Sequence, residues 1–263
     1  MPEAIFEELE KLPQVEAIAL GGSRAGKVFD LKSDYDVYVY VTGAVPEQTR
    51  REILKKYCSC LEIGNHFWEY EDNCTLNSGI DIDLLYRDLD GFMREIDAVV
   101  NGCEAHNGYT TCLWHNVRTC KILFDRNGRL AEYQRRYDVP YPAGLKKNII
   151  ERNMKLICRA LPAYTGQIAK AVKRGDFVSI NHRVAELLAS YFDVIFALNE
   201  QTHPGEKRLI QLCMQNCRKL PADFEKNLND LFAGMFSGNP DSCMEPLERM
   251  TEELERIVET EGF

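Results

Sequence analysis

The stretch from Ala17 to Val41, AIALGGSRAGKVFDLKSDYDVYVYV, constrains the fold more than any other part of this chain. It opens within an apolar run from Val15 to Leu20, and the next residues are Gly21, Gly22 and Ser23, so it predicts a strand closed by a tight turn. A second strand is expected from Asp34 to Val41, opening on the alternation Asp34, Tyr35, Asp36. Side chains two apart on a strand leave the same face of the sheet, which sets the two carboxylates side by side. Like charges at that range repel and raise each other's pKa, so the pattern calls for a cation, most simply a divalent metal.

A decoy lies in the same stretch. Gly21, Gly26 and Lys27 have the GxxxxGK spacing of a phosphate-binding loop, but Val28 follows where a metal-binding Ser or Thr is required. Such a loop also opens a long helix, whereas Phe29, Asp30 and Leu31 lead within a few residues into a strand. What remains is a Gly-Ser turn and, eleven residues after Ser23, Asp-x-Asp on a strand. In these residues the chain resembles the nucleotidyltransferase superfamily that includes DNA polymerase beta, above all its small bacterial antibiotic-modifying and uncharacterised members. The family pattern is Gly-Ser, a spacer of similar length, Asp-hydrophobic-Asp, and a third carboxylate on a neighbouring strand. Tyr35 stands where the family carries an aliphatic residue, a departure that leaves both aspartates on one face.

A second Asp-x-Asp lies in GIDIDLLYR, Gly79 to Arg87, which also has strand composition. Strands are depleted in Asp, so two such units are improbable as ornament. The family's third carboxylate is followed by hydrophobic residues, and Leu84, Leu85 and Tyr86 follow Asp83. Asp83 is therefore the expected third ligand, with Asp81 a partner or a solvated strand-start residue. The resemblance implies that Asp34, Asp36 and Asp83 hold two Mg2+ ions and are catalytic, with Asp83 nearest the acceptor and able to help deprotonate it. It also implies that Gly22 and Ser23 bind the triphosphate of an NTP such as ATP. Arg24 and Lys27 either add charge to that cradle or are ordinary solvated loop cations.

At 263 residues with 45% hydrophobic content, the chain can build one large or two modest domains. A formal net charge of −9 argues against bulk nucleic acid as the main partner. The N-terminus, MPEAIFEELEKL, is acidic and amphipathic, and no apolar run approaches a membrane span, so a soluble, cytoplasmic protein is expected. The ten cysteines are scattered through apolar segments; Cys58 and Cys60, like Cys213 and Cys217, lack a second pair at zinc-site spacing, which predicts reduced thiols and no structural metal.

Taken in order, the sequence predicts a helix over residues 3–11, a charged helix after Pro46, a strand at His66 to Tyr70, a polar turn through Asn73 and Asn77, and a helix capped by Asp88. The segment Val139 to Gly144, VPYPAG, has no periodicity and marks a boundary. Beyond it amphipathic helices follow one another to Glu259. The expected fold is α+β: a mixed-sheet nucleotidyltransferase domain over residues 1–140, then an all-α helical bundle over residues 141–263. The stretch VIFALNEQTHPGEKRL, ending at Leu209, is similar to helical-domain segments of uncharacterised bacterial nucleotidyltransferases.

On the helix Val178 to Asn199, His182, Glu186, Ser190 and Asp193 share one face. They are either a solvated polar stripe or the acceptor side of the site, with Glu186 as general base. Lys207, after Pro204-Gly205, is a candidate for neutralising phosphate at a loop-helix junction. The activity these features imply is transfer of an NMP from an NTP to a small-molecule hydroxyl, releasing pyrophosphate. Two alternatives are adenylylation of a partner protein and a nucleotide-sensing module with weak catalysis.

Overall fold

Strand formation follows the apolar alternation of the first half. A computed structural model describes residues 2–25 and 33–263, with backbone alone at Ser23. After α1 (Glu3–Leu9) come β1 (Val15–Leu20), the short α2 (Gly22–Ala25), β2 (Tyr35–Val41), α3 (Glu47–Leu54), β3 (Cys58–Asn65), β4 (Glu71–Leu76) and β5 (Asp81–Asp88). Next are α4 (Leu89–Val100), α5 (Cys112–Thr119), β6 (Lys121–Asp125) and α6 (Arg129–Tyr137). The described strands form one mixed sheet in the order β3-β4-β5-β2-β1-β6. β2 and β5 run parallel, and the other neighbouring pairs run antiparallel. A parallel pair needs a crossover, which α3 and the β3–β4 hairpin supply.

One face of the sheet is apolar. Ile18, Val37, Val39, Ile82 and Leu84 are buried there with Ile5 and Leu9 of α1 and Ile53 and Leu54 of α3. Inside this core lies a charge pair, Arg50 on α3 and Asp72 on β4, both side chains 0% exposed and 2.5 Å apart. Asp72 also accepts the Gly64 amide at 2.9 Å, and Arg50 lies over the rings of Tyr70 and Tyr86. Burial raises the Asp72 pKa, and the Arg50 charge opposes that rise.

The hairpin corrects two expectations. His66 to Tyr70 is a loop between β3 and β4, and Asn73 lies inside β4, so the polar turn falls later, at Asn77 to Gly79. Gly64 at φ +75° and a register shift between Ile63 and Asn65 end β3 early and release the aromatic residues from the ladder. Strand two begins at Tyr35, leaving Asp34 at its entry, and the Gly-Ser turn is one turn of helix, α2.

The chain divides into two compact units, residues 1–97 with 116–139 and residues 98–115 with 140–263. The second unit holds α7 (Ala143–Met154), which runs into a π-helical turn at Lys155–Arg159, then α8 (Tyr164–Val172), α9 (Phe177–Leu198), α10 (Leu209–Asn216), α11 (Phe224–Met235) and α12 (Met244–Thr260). The break at residues 139 and 140 lies in the Pro-rich segment, but residues 98–115 also belong to the helical unit, which one cut at residue 140 omits. Buried polar groups hold that segment. Asp193 of α9 accepts from the Thr110 amide (3.1 Å) and hydroxyl (2.6 Å), and Asn153 accepts the Gly108 amide at 3.1 Å. All ten cysteines are free thiols. Among the described residues no helix is long and apolar enough to cross a membrane.

Two buried groups of this unit titrate in opposite senses. Burial pushes the Asp193 carboxyl up to about 7, against its hydrogen bonds from Thr110 and Asn153. Burial also pushes His203 down to about 3, helped by the nearby His115 charge. Folded Asp193 keeps a proton that the unfolded chain releases, so its contribution to stability is lost as pH rises from 3.8 to about 7. Folded His203 refuses a proton that the unfolded chain accepts, so its contribution is lost as pH falls below 6.5. In the overlapping window the two slopes oppose. Urea unfolding from pH 4.5 to 6.5 should show Asp193→Asn losing stability relative to the parent on acidification and His203→Gln losing it on alkalinisation.

Candidate active site

The sheet face opposite the apolar core carries the acids. In the parallel ladder Asp36 of β2 is the register partner of Asp83 of β5, and in the antiparallel ladder Asp83 is opposite Asn73 of β4. Register partners project from the same face, so Asp36, Asp83 and Asn73 form a row on three adjacent strands. Asn73 donates to Asp83 Oδ1 at 2.7 Å, and Asn65 of β3 extends the row by a hydrogen bond to Asn73. Asp81 lies one alternation earlier, is exposed, and accepts from the Thr75 hydroxyl at 2.8 Å. The register thus sets Asp83, and not Asp81, opposite Asp36.

Asp34, at the entry to β2, is exposed. The structure therefore unites Asp36 and Asp83 as a pair with Asp34 at its margin. Among the described residues no group of three His, Cys, Asp or Glu side chains is arranged to hold a metal ion. The pair itself offers the all-oxygen donors that magnesium favours.

Beside this pair the backbone of Gly21 and Gly22 presses on β2. The Gly21 amide donates to the Asp36 carbonyl at 2.7 Å, and a Cβ on Gly21 would meet the Tyr38 ring at 2.5 Å. Gly22 sits at φ +57°, where a Cβ would come 1.8 Å from Asp36 Oδ2. Both the left-handed backbone and the contact exclude a side chain. Gly22→Ala should lower the stability of the first unit by about 1–3 kcal/mol, read as a shift in the urea midpoint. Gly43, with no atom within 4 Å of its Cβ position, is the control that should not shift.

Arg24 donates from Nε to the carbonyls of Ser33 (2.6 Å) and Asp34 (3.2 Å) and lies 3.8 Å over the Tyr35 ring. It ties the ends of the segment between the turn and β2. Lys27 lies outside the described residues, as does the Ser23 side chain.

Glu71 of β4 was not anticipated in this site. It shares the face of Asn73, is buried, and has its pKa raised by burial first and then by the Asp83 charge. The alternation Glu71, Asn73, Thr75 was its signal, hidden by the expectation of a turn there. Further along the face, Arg87 of β5 takes Glu69 in two hydrogen bonds at 2.7 and 2.6 Å and lies over Tyr38 and Phe92. Burial pushes the Tyr38 phenol up to about 12, Arg87 opposing and Asp36 adding.

In the helical unit the polar stripe of α9 divides. Ser190 and Asp193 are buried, so they are neither solvated nor open to an acceptor, because Asp193 is used up in holding Thr110. His182 and Glu186 are exposed, and Lys207 is exposed in the turn before α10. A cavity of about 800 Å3 lies in this unit among α9, α10 and α11, with Leu188, Phe192, Met214 and Phe232 in its lining.

A family model described as a domain of unknown function, DUF4037, matches residues 110–209. No curated protein matches the chain. Solved structures to which the chain is similar include the following. A nucleotidyltransferase-like protein from Exiguobacterium sibiricum 255-15 is 13% identical, with 98% of this chain and 73% of that one covered and a TM-score of 0.45. An aminoglycoside 6-adenyltransferase from Bacillus subtilis is 8% identical over 98% of this chain and 90% of that one, with a TM-score of 0.30. A Thermotoga maritima CCA-adding enzyme complexed with tRNA is 11% identical over 98% and 79%, with a TM-score of 0.25. At these scores the likenesses assign no residue role to this chain.

Proposed function

We propose that this chain is a magnesium-dependent nucleotidyltransferase that moves an NMP from an NTP to a small-molecule hydroxyl and releases pyrophosphate. The observation that carries this reading is the Asp36–Asp83 register pair beside a glycine whose Cβ would occupy the Asp36 carboxylate. Asp36 and Asp83 would hold the cation, joined by Asp34 from the strand entry. When bound, magnesium would neutralise charge that builds on the phosphate and on the departing pyrophosphate.

The protein groups divide the remaining work. Gly22 leaves its backbone bare, so a phosphate chain can approach without meeting a side chain. Asn73 holds one oxygen of Asp83, which fixes the carboxylate plane and directs the second oxygen to a ligand or to an acceptor proton. Glu186 remains the candidate base on the helical unit, and Lys207 a candidate phosphate contact.

The test is incubation with each labelled NTP, magnesium and a panel of hydroxyl-bearing acceptors, with pyrophosphate release as readout. Acceptor-dependent release supports the reading. Tight NTP binding with no release under any acceptor replaces it with a nucleotide sensor, and label on a protein partner replaces it with protein adenylylation.

A further inference from the structure

The loop between β3 and β4 exposes two large aromatic side chains, Phe67 at 76% and Trp68 at 86%. Their rings meet edge to face with centroids 6.2 Å apart. Exposing that much aromatic surface is unfavourable unless something covers it in use. The pair is also held, not left to wander. On one side Asn65 bonds to Asn73 and its Oδ1 accepts the Phe67 amide at 3.4 Å. On the other side Glu69 takes both hydrogen bonds from Arg87, and His66 stacks on Tyr70 at 4.6 Å.

Both anchors, Asn73 and Arg87, stand on the sheet face that carries Asp36 and Asp83. Asn73 is the register partner of Asp83 and its hydrogen-bond donor, and Arg87 lies two alternations beyond Asp83 on β5. The loop that carries the aromatic pair runs between these anchors, past the Arg87 end of the face that holds Asp36 and Asp83.

The charge pattern selects the occupant. This side of the face carries Glu62, Glu69 and Glu71 and the loop has no Lys or Arg, which disfavours both a phosphate and an anionic lipid surface. The bare Gly22 backbone lies beside Asp36, three strand gaps across the sheet from β4 and four residues along it from the level of Arg87, or roughly 20 Å at the usual spacings. That separation suits a ligand with its phosphates at one end and an uncharged flat ring at the other. The geometry points to Phe67 and Trp68 as a stacking wall for the nucleobase of the NTP, an inference that rests on the nucleotidyl-transfer reading of the same site. Stacking recognises the face that every base presents, so the wall favours any nucleobase over a bare polyphosphate.

Trp68 supplies its own probe, because the other tryptophan, Trp114, is 1% exposed. ATP with magnesium should quench Trp68 emission in the full chain, inorganic tripolyphosphate should not, and Trp68→Phe should abolish the quench. By calorimetry, Trp68→Ala should weaken ATP binding roughly ten-fold with an unchanged melting temperature, and Trp68→Phe should restore most of the affinity. If ATP binds the parent and Trp68→Ala equally and the emission is unmoved, the wall is refuted while the nucleotidyl-transfer reading stands. Quenching by tripolyphosphate, or by a ring-bearing acceptor and not by ATP, also refutes it. Failure of all four NTPs to bind overturns both readings.

Discussion

Asp36→Asn is expected to cut nucleotidyl transfer about a thousand-fold while the protein stays folded. Asp36 is the member of the acidic row with both Asp83 and the Gly22 backbone as neighbours, so in the proposed function its loss would remove one of the carboxylates assigned to the cation. Asn73→Ala should cost less, roughly ten- to a hundred-fold, because it orients Asp83 without being charged itself. Asp81→Asn should change the rate by less than about three-fold, the scale of a surface substitution, since Asp81 is exposed and held by Thr75 at one alternation's distance. Stability gives an independent check: removing one of two neighbouring like charges should leave the melting temperature of Asp36→Asn equal to or above that of the parent. Equal losses in Asp36→Asn and Asp81→Asn would sink the assignment of the pair.

The largest stability effect is expected from Arg50→Met, about 3–5 kcal/mol against the first unit. The change leaves the Asp72 carboxylate wholly buried with its charge unpaired in an apolar core. It also removes the guanidinium that lies over the rings of Tyr70 and Tyr86. The double variant Arg50→Met with Asp72→Leu should recover most of the loss, because two apolar groups of similar volume leave no buried charge. Urea unfolding of all four members of the cycle measures the coupling. A double variant no better than Arg50→Met alone would show that the pair's packing, and not its charge, matters.

Much of the fold was legible because it depends on local period. β1 appears where the apolar run stands, from Val15 to Leu20, and α9 covers Phe177 to Leu198, within a residue or two of the periodic stretch. The aromatic run His66 to Tyr70 was misread for the opposite reason. Strand composition says that a residue suits a pleated surface, but whether it is paired depends on a partner and on where the preceding bulge releases it. The α9 stripe failed similarly. Helical spacing put Glu186 and Asp193 on one face, yet Asp193 is buried because Thr110, from a segment 83 residues earlier, occupies it.

The sequence by itself determined the alternation of acids on two strands, the glycine turn before them and the change to helical periodicity near residue 140, since each is a property of neighbouring residues. It could not say which Asp of the second pair meets the first, because side chains two apart on a strand are equivalent until a register exists. The parallel ladder decided that by placing Asp83 level with Asp36. The same long-range pairing put Asn73 beside Asp83 and the Phe67–Trp68 loop at the margin, contacts between residues with no local reason to meet.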